Sequence, residues 1–549
     1  MTLTITKRAK RALGAALVAA PVFGLAACTD LSVDPFSSVN PENFYRTDAE
    51  VLAAVSPVYS NLRATLWEYH NLSQVSSDET IVPTRGSDWA DGGRWLEMHR
   101  QTWTPTLTDL NGAWVISFTG IARANSIIRD LGPLDVPNKD ALLAEVRALR
   151  AFYYYQLLDL FGRVPIVAPP PGAPAEEFIV DPDNPPAQSS REEVFDFVVS
   201  ELEAARTSLP VAGAGNGGRM SQGAVDAILA NLYLNAPVFT GTVTESGLQR
   251  GRTMWAEAEA AATRVIDGPY RLVQGVDAWF EMFSADNENN PEHIFVVQHL
   301  ADQGFGLSFP NRALHYNSFS GGAWNGFATI AETYNAFSAE DPRRGIFAVG
   351  RAINYDTGEP IENRQDEPLI FTLNFPAANG AGESVSNTTE GAGVRVNKFS
   401  PDPEMQASEN GNHGNDYPYF RLGEMYLIRA EARLEQGNAG GALADVNALR
   451  QRLREDVDGD GDIDGPPLLT SVDRRALLQE RLFELTYEAR RRQDLVRADP
   501  SINLFGGTGN LFTRAWSFKE ASAPFRVVFP IPQQQIDASD GTLTQNAGY

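Results

Sequence analysis

Apolar residues spaced four, three, four, four and three positions apart set the first constraint on this chain. Leu142, Val146, Leu149, Tyr153, Leu157 and Leu160 form one stripe along an α-helix, because a turn takes 3.6 residues. Gly162 and Pro165 end that helix. The same period recurs over 192–209, closed by Pro210, over 221–234, and over 255–266, stopped by Asp267-Gly268-Pro269. A one-sided stripe is stable only against another apolar surface, so successive stripes predict helices packed on helices.

Two segments, 422–436 and 439–453, flank Gly437-Asn438 and predict a helical hairpin, with Gly437 in the left-handed position that closes a helix. Ala430, Ala432, Ala442 and Ala444 allow the two helices to approach closely. The pair resembles a tetratricopeptide unit, which buries its face only by stacking on neighbours. Residues 473–497 predict one more long helix, with Leu478, Leu482, Leu485 and Ala489 on a single face. Its Glu480, Glu484 and Glu488, with Arg481, Arg491 and Arg492, read as ion-pair patterning along a helix rather than acid–base chemistry. Between 275 and 419 the periodicity fades; glycine, asparagine, proline and aromatics dominate, with strand-like runs at 294–298 and 369–373. So large an irregular stretch in a helical protein is more often functional than accidental. Residues 165–189 read as a proline-rich surface loop. No long linker divides the 549 residues, so one large helical domain with loop insertions fits as well as two domains.

Lys7, Arg8, Lys10 and Arg11 precede an apolar run over 12–24 and then Leu25-Ala26-Ala27-Cys28, the order of a secretory signal. The run is too short to span a bilayer. Cys28, the single cysteine, sits as in a bacterial lipobox, where the sulfur receives a diacylglycerol; more than one acyl chain gives a stable anchor. Asp30, two residues on, resembles a surface-export signal. The net charge is −25; without the leader, 41 basic residues face 70 acidic ones, giving −29. That field argues against a nucleic-acid partner. No lysine follows a glycine as a P-loop requires, and neither an HExxH nor a GxSxG motif occurs. Gly213-Ala214-Gly215-Asn216-Gly217-Gly218 lies between helices rather than after a strand and reads as a connector.

In order, these segments resemble the SusD/RagB family of outer-membrane nutrient-binding lipoproteins. Arg123-Ala124-Asn125, then Glu145-Val146-Arg147-Ala148-Leu149-Arg150-Ala151-Phe152-Tyr153-Tyr154 with Phe161-Gly162-Arg163-Val164-Pro165, are similar to its N-terminal stretch. The run from Arg421-Leu422-Gly423-Glu424 to Ala430-Glu431-Ala432, the motif Glu480-Arg481-Leu482-Phe483-Glu484-Leu485 and the ending Phe529-Pro530-Ile531-Pro532 resemble its C-terminal half. Arg492-Gln493 departs from the aromatic often found there and reads as a packing change. The resemblance implies a mainly α fold: a tetratricopeptide-like helical-repeat scaffold with a loop-rich C-terminal half containing short strands. It implies a signal peptide over 1–27, helical repeats over 28–270, a loop-rich region with the ligand site over 271–420, and repeats with the family signature over 421–549. It also implies a SusC-like TonB-dependent outer-membrane receptor as partner, an outer-membrane lipid anchor at Cys28, an oligosaccharide or peptide as cargo, and no catalysis. A peptide-uptake protein and a non-catalytic assembly scaffold are the alternatives.

Sugar capture without bond breaking needs flat aromatic faces beside amides and acids. Trp89, Trp95 and Trp103 cluster near Asp88, Asp91 and Arg94, while Tyr316, Trp324 and Asn325 lie in the glycine-rich region. Trp89, Trp95, Tyr316, Trp324 and Asn325 are therefore the candidate ligand contacts, although a tryptophan often serves the core instead. Asp456, Asp458, Asp460 and Asp462, with Gly461 and Ile463, match the spacing of a calcium loop, except that Pro467 stands in place of the bidentate glutamate. They predict a structural Ca2+, with a solvated acidic turn as the alternative; no other cofactor is required.

Overall fold

A computed structural model describes residues 47–169, 185–216, 218–302, 304–405, 411–456, 463–503 and 509–549. The chain opens with α1 (Asp48–Val75), the short α2 (Arg94–Arg100), α3 (Thr108–Leu131) and α4 (Lys139–Leu160). It continues through α5 (Arg191–Arg206), α6 (Gln222–Leu234), the one-turn α7 (Ala236–Phe239), the hairpin β1 (Thr242–Thr244) and β2 (Gly247–Gln249), and α8 (Trp255–Ile266). Side chains define the starts: Thr47 with Glu50, and Ser190 with Glu193, form reciprocal capping boxes, and the Ser221 hydroxyl accepts from the Ala224 amide. The stripe on α4 understated its burial. Every side chain from Ala148 to Leu160 is buried, so α4 is a central helix enclosed on all sides.

Residues 267–421 leave the helical stack. They hold only short helices, α9 (Val276–Glu281), α10 (Phe309–Ala313) and α11 (Ala331–Ala336). Their strands are β3 (His293–Val297), β4 (Phe347–Ala348), β5 (Gly350–Arg351), β6 (Ile370–Phe371), β7 (Arg395–Val396) and β8 (Tyr417–Arg421). β3 and β8 pair antiparallel, from His293 opposite Arg421 to Val297 opposite Tyr417, and so close the neck of the excursion. The chain then returns as α12 (Leu422–Glu435), which packs directly on α8, followed by α13 (Ala439–Gln451), α14 (Arg474–Leu485), α15 (Arg491–Arg497) and α16 (Gln533–Asp537). Neighbours in the stack run α1, α3, α4, α5, α6, α8, α12, α13, a helical-repeat order with a lobe inserted between α8 and α12. Gly437, at φ +83°, turns the α12–α13 hairpin.

The single helix expected over 473–497 is broken. α14 ends at Leu485, α15 begins at Arg491, and Tyr487 and Ala489 between them adopt φ of 67° and 58°. The break frees backbone carbonyls that a continuous helix would consume. Lys398 donates to the carbonyls of Glu484 and Thr486, and Arg421 to that of Glu484. Nor are the acids here surface pairing. Glu480, Glu484 and Glu488 are buried beside Glu292 and Asp341, and five buried cations meet these five carboxylates: Arg343, Lys398, Arg421, Arg450 and Arg452. Burial alone would raise the Glu484 carboxyl, but Arg452, Arg421 and Arg343 together hold it well below the usual carboxylate range. Glu292, Asp341, Arg343, Lys398 and Arg421 come from the lobe and the rest from α13, its C-terminal end and the α14 region, so this balanced cluster fastens the lobe to the stack. Arg491 and Arg492 pair with Asp78 and Asp159, and the Gln493 amide donates to Tyr69 and Tyr155, which explains Arg492-Gln493 as a polar packing pair.

Candidate ligand-binding site

The segment after α1 is threaded into the lobe. Ile81 and Ala328 exchange backbone hydrogen bonds of 2.8 and 2.9 Å. Arg85, buried, donates to the carbonyls of Asn325, Gly326 and Ala392 at 2.6, 2.9 and 2.8 Å. Arg395 donates to the Asn325 side-chain oxygen and to the carbonyls of Ala392, Gly393 and Glu390. Burial lowers Arg85 to about 10, so it stays charged at neutral pH. Two guanidinium groups thus gather the carbonyls of two loops and fix them beside 85–89.

On this base stands a line of aromatic side chains. Trp89, in the left-handed region at φ 60°, donates its indole N–H to the Trp324 carbonyl at 2.6 Å. Its ring covers Gly326, where a Cβ would lie 2.3 Å from the indole. Trp324 meets Trp67 of α1 edge-on, with ring centroids 6.4 Å apart. Next to Trp89, Asp88 accepts from the Tyr316 hydroxyl and pairs at 2.9 Å with Arg364, whose guanidinium lies 4.4 Å over the Tyr316 ring. The Tyr316 hydrogen bond, helped by Arg364, holds Asp88 below the usual carboxylate range; burial and Asp88 push the Tyr316 hydroxyl up to about 12. Trp67, Trp89, Tyr316 and Trp324 are all partly exposed.

Two of the expected contacts lie inside. Trp95 is 1% exposed on α2, donates to Asp91 at 2.7 Å and packs against Trp89 and Phe327, so it backs the surface. Asn325 is fully buried at φ 51°, its amide spent on the Glu390 carbonyl and on Arg395. Trp103 is also buried and donates to the Tyr549 hydroxyl. The polar atoms of all three find partners inside the protein. Conversely, two aromatics outside the sequence candidates reach the surface: Trp67, within α1, and Phe305, 45% exposed between Gly304 and Gly306. Cys28, Asp458, Asp460 and Asp462 lie outside the described residues.

Two clefts flank the aromatic line. One, of about 490 Å³, is lined by Arg85, Tyr316, Arg364, Gln365, Glu367 and Glu390 among others. The second, of about 360 Å³, is lined by Arg63, Trp67, His299, Phe305 and Arg312 among others. Both are of a size that takes small ligands. Glu390 accepts from His315 at 2.5 Å and from the Arg364 amide. The arrangement offers stacking faces beside fixed hydrogen-bonding groups.

A helical-repeat stack that carries an aromatic, loop-built cleft defines a class of binding scaffold, and sequence comparison identifies it. The model of the SusD family matches residues 291–549, and one described as starch-binding associating with outer membrane matches residues 38–234. This chain belongs to the SusD/RagB family. It is 28% identical to the starch-binding protein SusD of Bacteroides thetaiotaomicron over 453 residues, 74% of this chain and 72% of the relative. Among solved structures, surface glycan-binding protein A from Bacteroides thetaiotaomicron in complex with laminarihexaose superposes with a TM-score of 0.66 at 20% identity, covering 91% of this chain and 99% of that one. A laminarin binding SusD-like protein gives 0.66 at 23% identity, covering 92% and 100%. These likenesses establish the mainly helical fold.

Proposed function

We propose that this chain is a lipid-anchored outer-membrane protein that binds oligosaccharide on its aromatic line and hands it to a SusC-like TonB-dependent transporter. The observation that carries the reading is the run of partly exposed rings, Trp67, Trp89, Tyr316 and Trp324, on loops pinned from below by Arg85 and Arg395. Rings in a fixed row suit the C–H faces of successive sugars, and pre-organised loops lose little entropy on binding. Relatives that bind starch, laminarin and laminarihexaose support a glycan over a peptide. The acids of the site support capture without chemistry. Asp88 is held ionised and Glu390 is engaged by His315 and Arg364, so neither is poised as the proton donor a glycosidase needs. Affinity electrophoresis against starch, laminarin and peptide panels, with a reducing-sugar assay in parallel, tests the proposal. Retardation by a glycan without release of sugar ends is expected; hydrolysis, or retardation by peptide alone, would contradict it.

Membrane anchoring through Cys28 and export past Asp30 belong to the same proposal and rest on the sequence. The spacing of Asp456, Asp458, Asp460 and Asp462 supports a structural Ca2+ in that turn. Chelation is then expected to lower Tm by about 1 °C for each kcal/mol of stability lost; an unchanged melt would speak for a solvated turn.

A further inference from the structure

We infer that the cleft beside Trp67 and Phe305 receives an anionic group of the saccharide, a carboxylate or a sulfate ester, on Arg63 and Arg312; this rests on the glycan-binding reading above and narrows its ligand class. The chain has 70 acidic residues against 45 basic ones, yet among the described residues no carboxylate lines this cleft. Arg63 donates its Nε to the Gln298 carbonyl at 2.7 Å, and Arg312 donates to the Asn71 side chain at 3.0 Å. Neither forms an ion pair among the described residues. Arg312 is 1% exposed, and its Nε has no hydrogen-bond partner there. Its guanidinium lies 3.7 Å over Trp67 and 4.7 Å over Phe309, while that of Arg63 lies 5.3 Å over the exposed Phe305 ring.

A guanidinium stacked on a ring still presents N–H groups in its own plane, where a carboxylate or sulfate can accept two of them. A sugar lying against Phe305 would bring such a group toward Arg63. Nearby acids compensate weakly. Burial raises Glu68, beside Arg312, to about 8, and Asp416, beside Arg63, to about 7, so neither carries a full charge at neutral pH. Burial lowers His299, the remaining titratable group of the lining, to about 3, leaving it neutral. Asp302, on the turn that carries Phe305, is exposed and does not line the cleft. The Tyr316 cleft differs: Arg364 is taken by Asp88, Arg85 by carbonyls, and Glu367 and Glu390 line the wall. It suits neutral hydroxyls.

The test is titration calorimetry of the purified protein with laminarihexaose, an oligogalacturonate and a carrageenan oligomer, at about 50 and about 300 mM salt. The two acidic probes separate carboxylate from sulfate. At least one is expected to bind about tenfold tighter than the neutral probe and to weaken at the higher salt. Arg63→Gln should bring that preference to within about twofold while thermal melting stays unchanged. Phe305→Ala, at an exposed position, should weaken the acidic oligomer by about tenfold. Neutral binding that matches acidic binding, or a preference that survives Arg63→Gln, would overturn the inference and leave the glycan reading intact. Silence toward all three probes, and toward starch, would overturn both.

Discussion

In the helical stack, α4 buries every side chain from Ala148 to Leu160, and its neighbours meet it largely with apolar surface. In residues 267–421 much of the fastening falls instead to Arg343, Lys398 and Arg421, which reach the carboxylates and carbonyls of the α14 region. Helices satisfy their own backbone, so side chains are free to supply burial. Loops do not, and their carbonyls need donors from elsewhere. Guanidinium groups meet that need in the lobe, at Arg85 and Arg395 as well as in the buried cluster. The proposed ligand site therefore stands on irregular backbone whose carbonyls are held by buried guanidinium groups.

Glu484→Ala should break this contrast most severely. It removes the carboxylate shared by Arg343, Arg421 and Arg452, leaving the buried cluster one negative charge short although each arginine keeps another partner, and removing one member of a buried pair costs about 3–5 kcal/mol. Urea denaturation should show that loss or a chain that fails to fold; a change below about 1 kcal/mol would mean the cluster does not fasten the lobe.

Acid should separate the two regions next. Burial opposes ionisation of Glu484, Glu488, Asp78 and Asp494, but their arginine or lysine partners outweigh it and hold all four below their ordinary values. Their stabilisation is complete above about pH 4.5 and is lost as pH falls through the depressed folded values. Glu68, Glu79 and Asp416, raised by burial to about 8, 7 and 7, act in the opposite sense and favour the fold increasingly as pH drops toward about 4.5. The buried histidines His99, His293, His299 and His413, lowered by burial to about 4, 4, 3 and 4, oppose them, because keeping them neutral costs stability as pH falls below about 6.5. The two sets offset one another between about pH 6.5 and 4.5, and stability is expected to fall steeply below about 4, where loss of the depressed carboxylates adds to the histidine cost. Leu149→Ala, in the stack, should lower the whole curve by about 2–5 kcal/mol without changing its shape. Stability that does not fall between about pH 5 and about pH 3 would contradict this.

The smallest effect concerns the Tyr316–Asp88–Arg364 group. Tyr316→Phe removes the hydroxyl that donates to Asp88 at a half-exposed position and is expected to cost no more than about 1 kcal/mol of stability. Arg364 still pairs with Asp88, so glycan affinity should fall only a few-fold.

The same contrast decides what was legible in the sequence. Helices at 222–234 and 255–266 were readable because apolar spacing and caps act locally. The break at Tyr487 was not, because the groups that hold it, Lys398 and Arg421 on its carbonyls and Glu79 and Gln74 on the Tyr487 and Ala489 amides, lie far away along the chain. Among the candidate aromatics, Trp89, Tyr316 and Trp324 are partly exposed. Trp95 and Asn325 carry the same residue types but find partners inside, and no spacing rule separates the two outcomes. Trp67 shows the converse: a helical position that reads as core lines a cleft, with lobe residues Arg312 and Trp324 packed on its ring.

Calorimetry of the wild-type protein and Trp324→Ala against starch and laminarin oligosaccharides, with matched thermal melts, tests most directly whether cargo rests on the aromatic line. Saturable binding by the wild type, weakened about tenfold or more by the substitution at unchanged Tm, is the predicted result. Full affinity without the Trp324 ring, or sugar release by the purified protein, would contradict it.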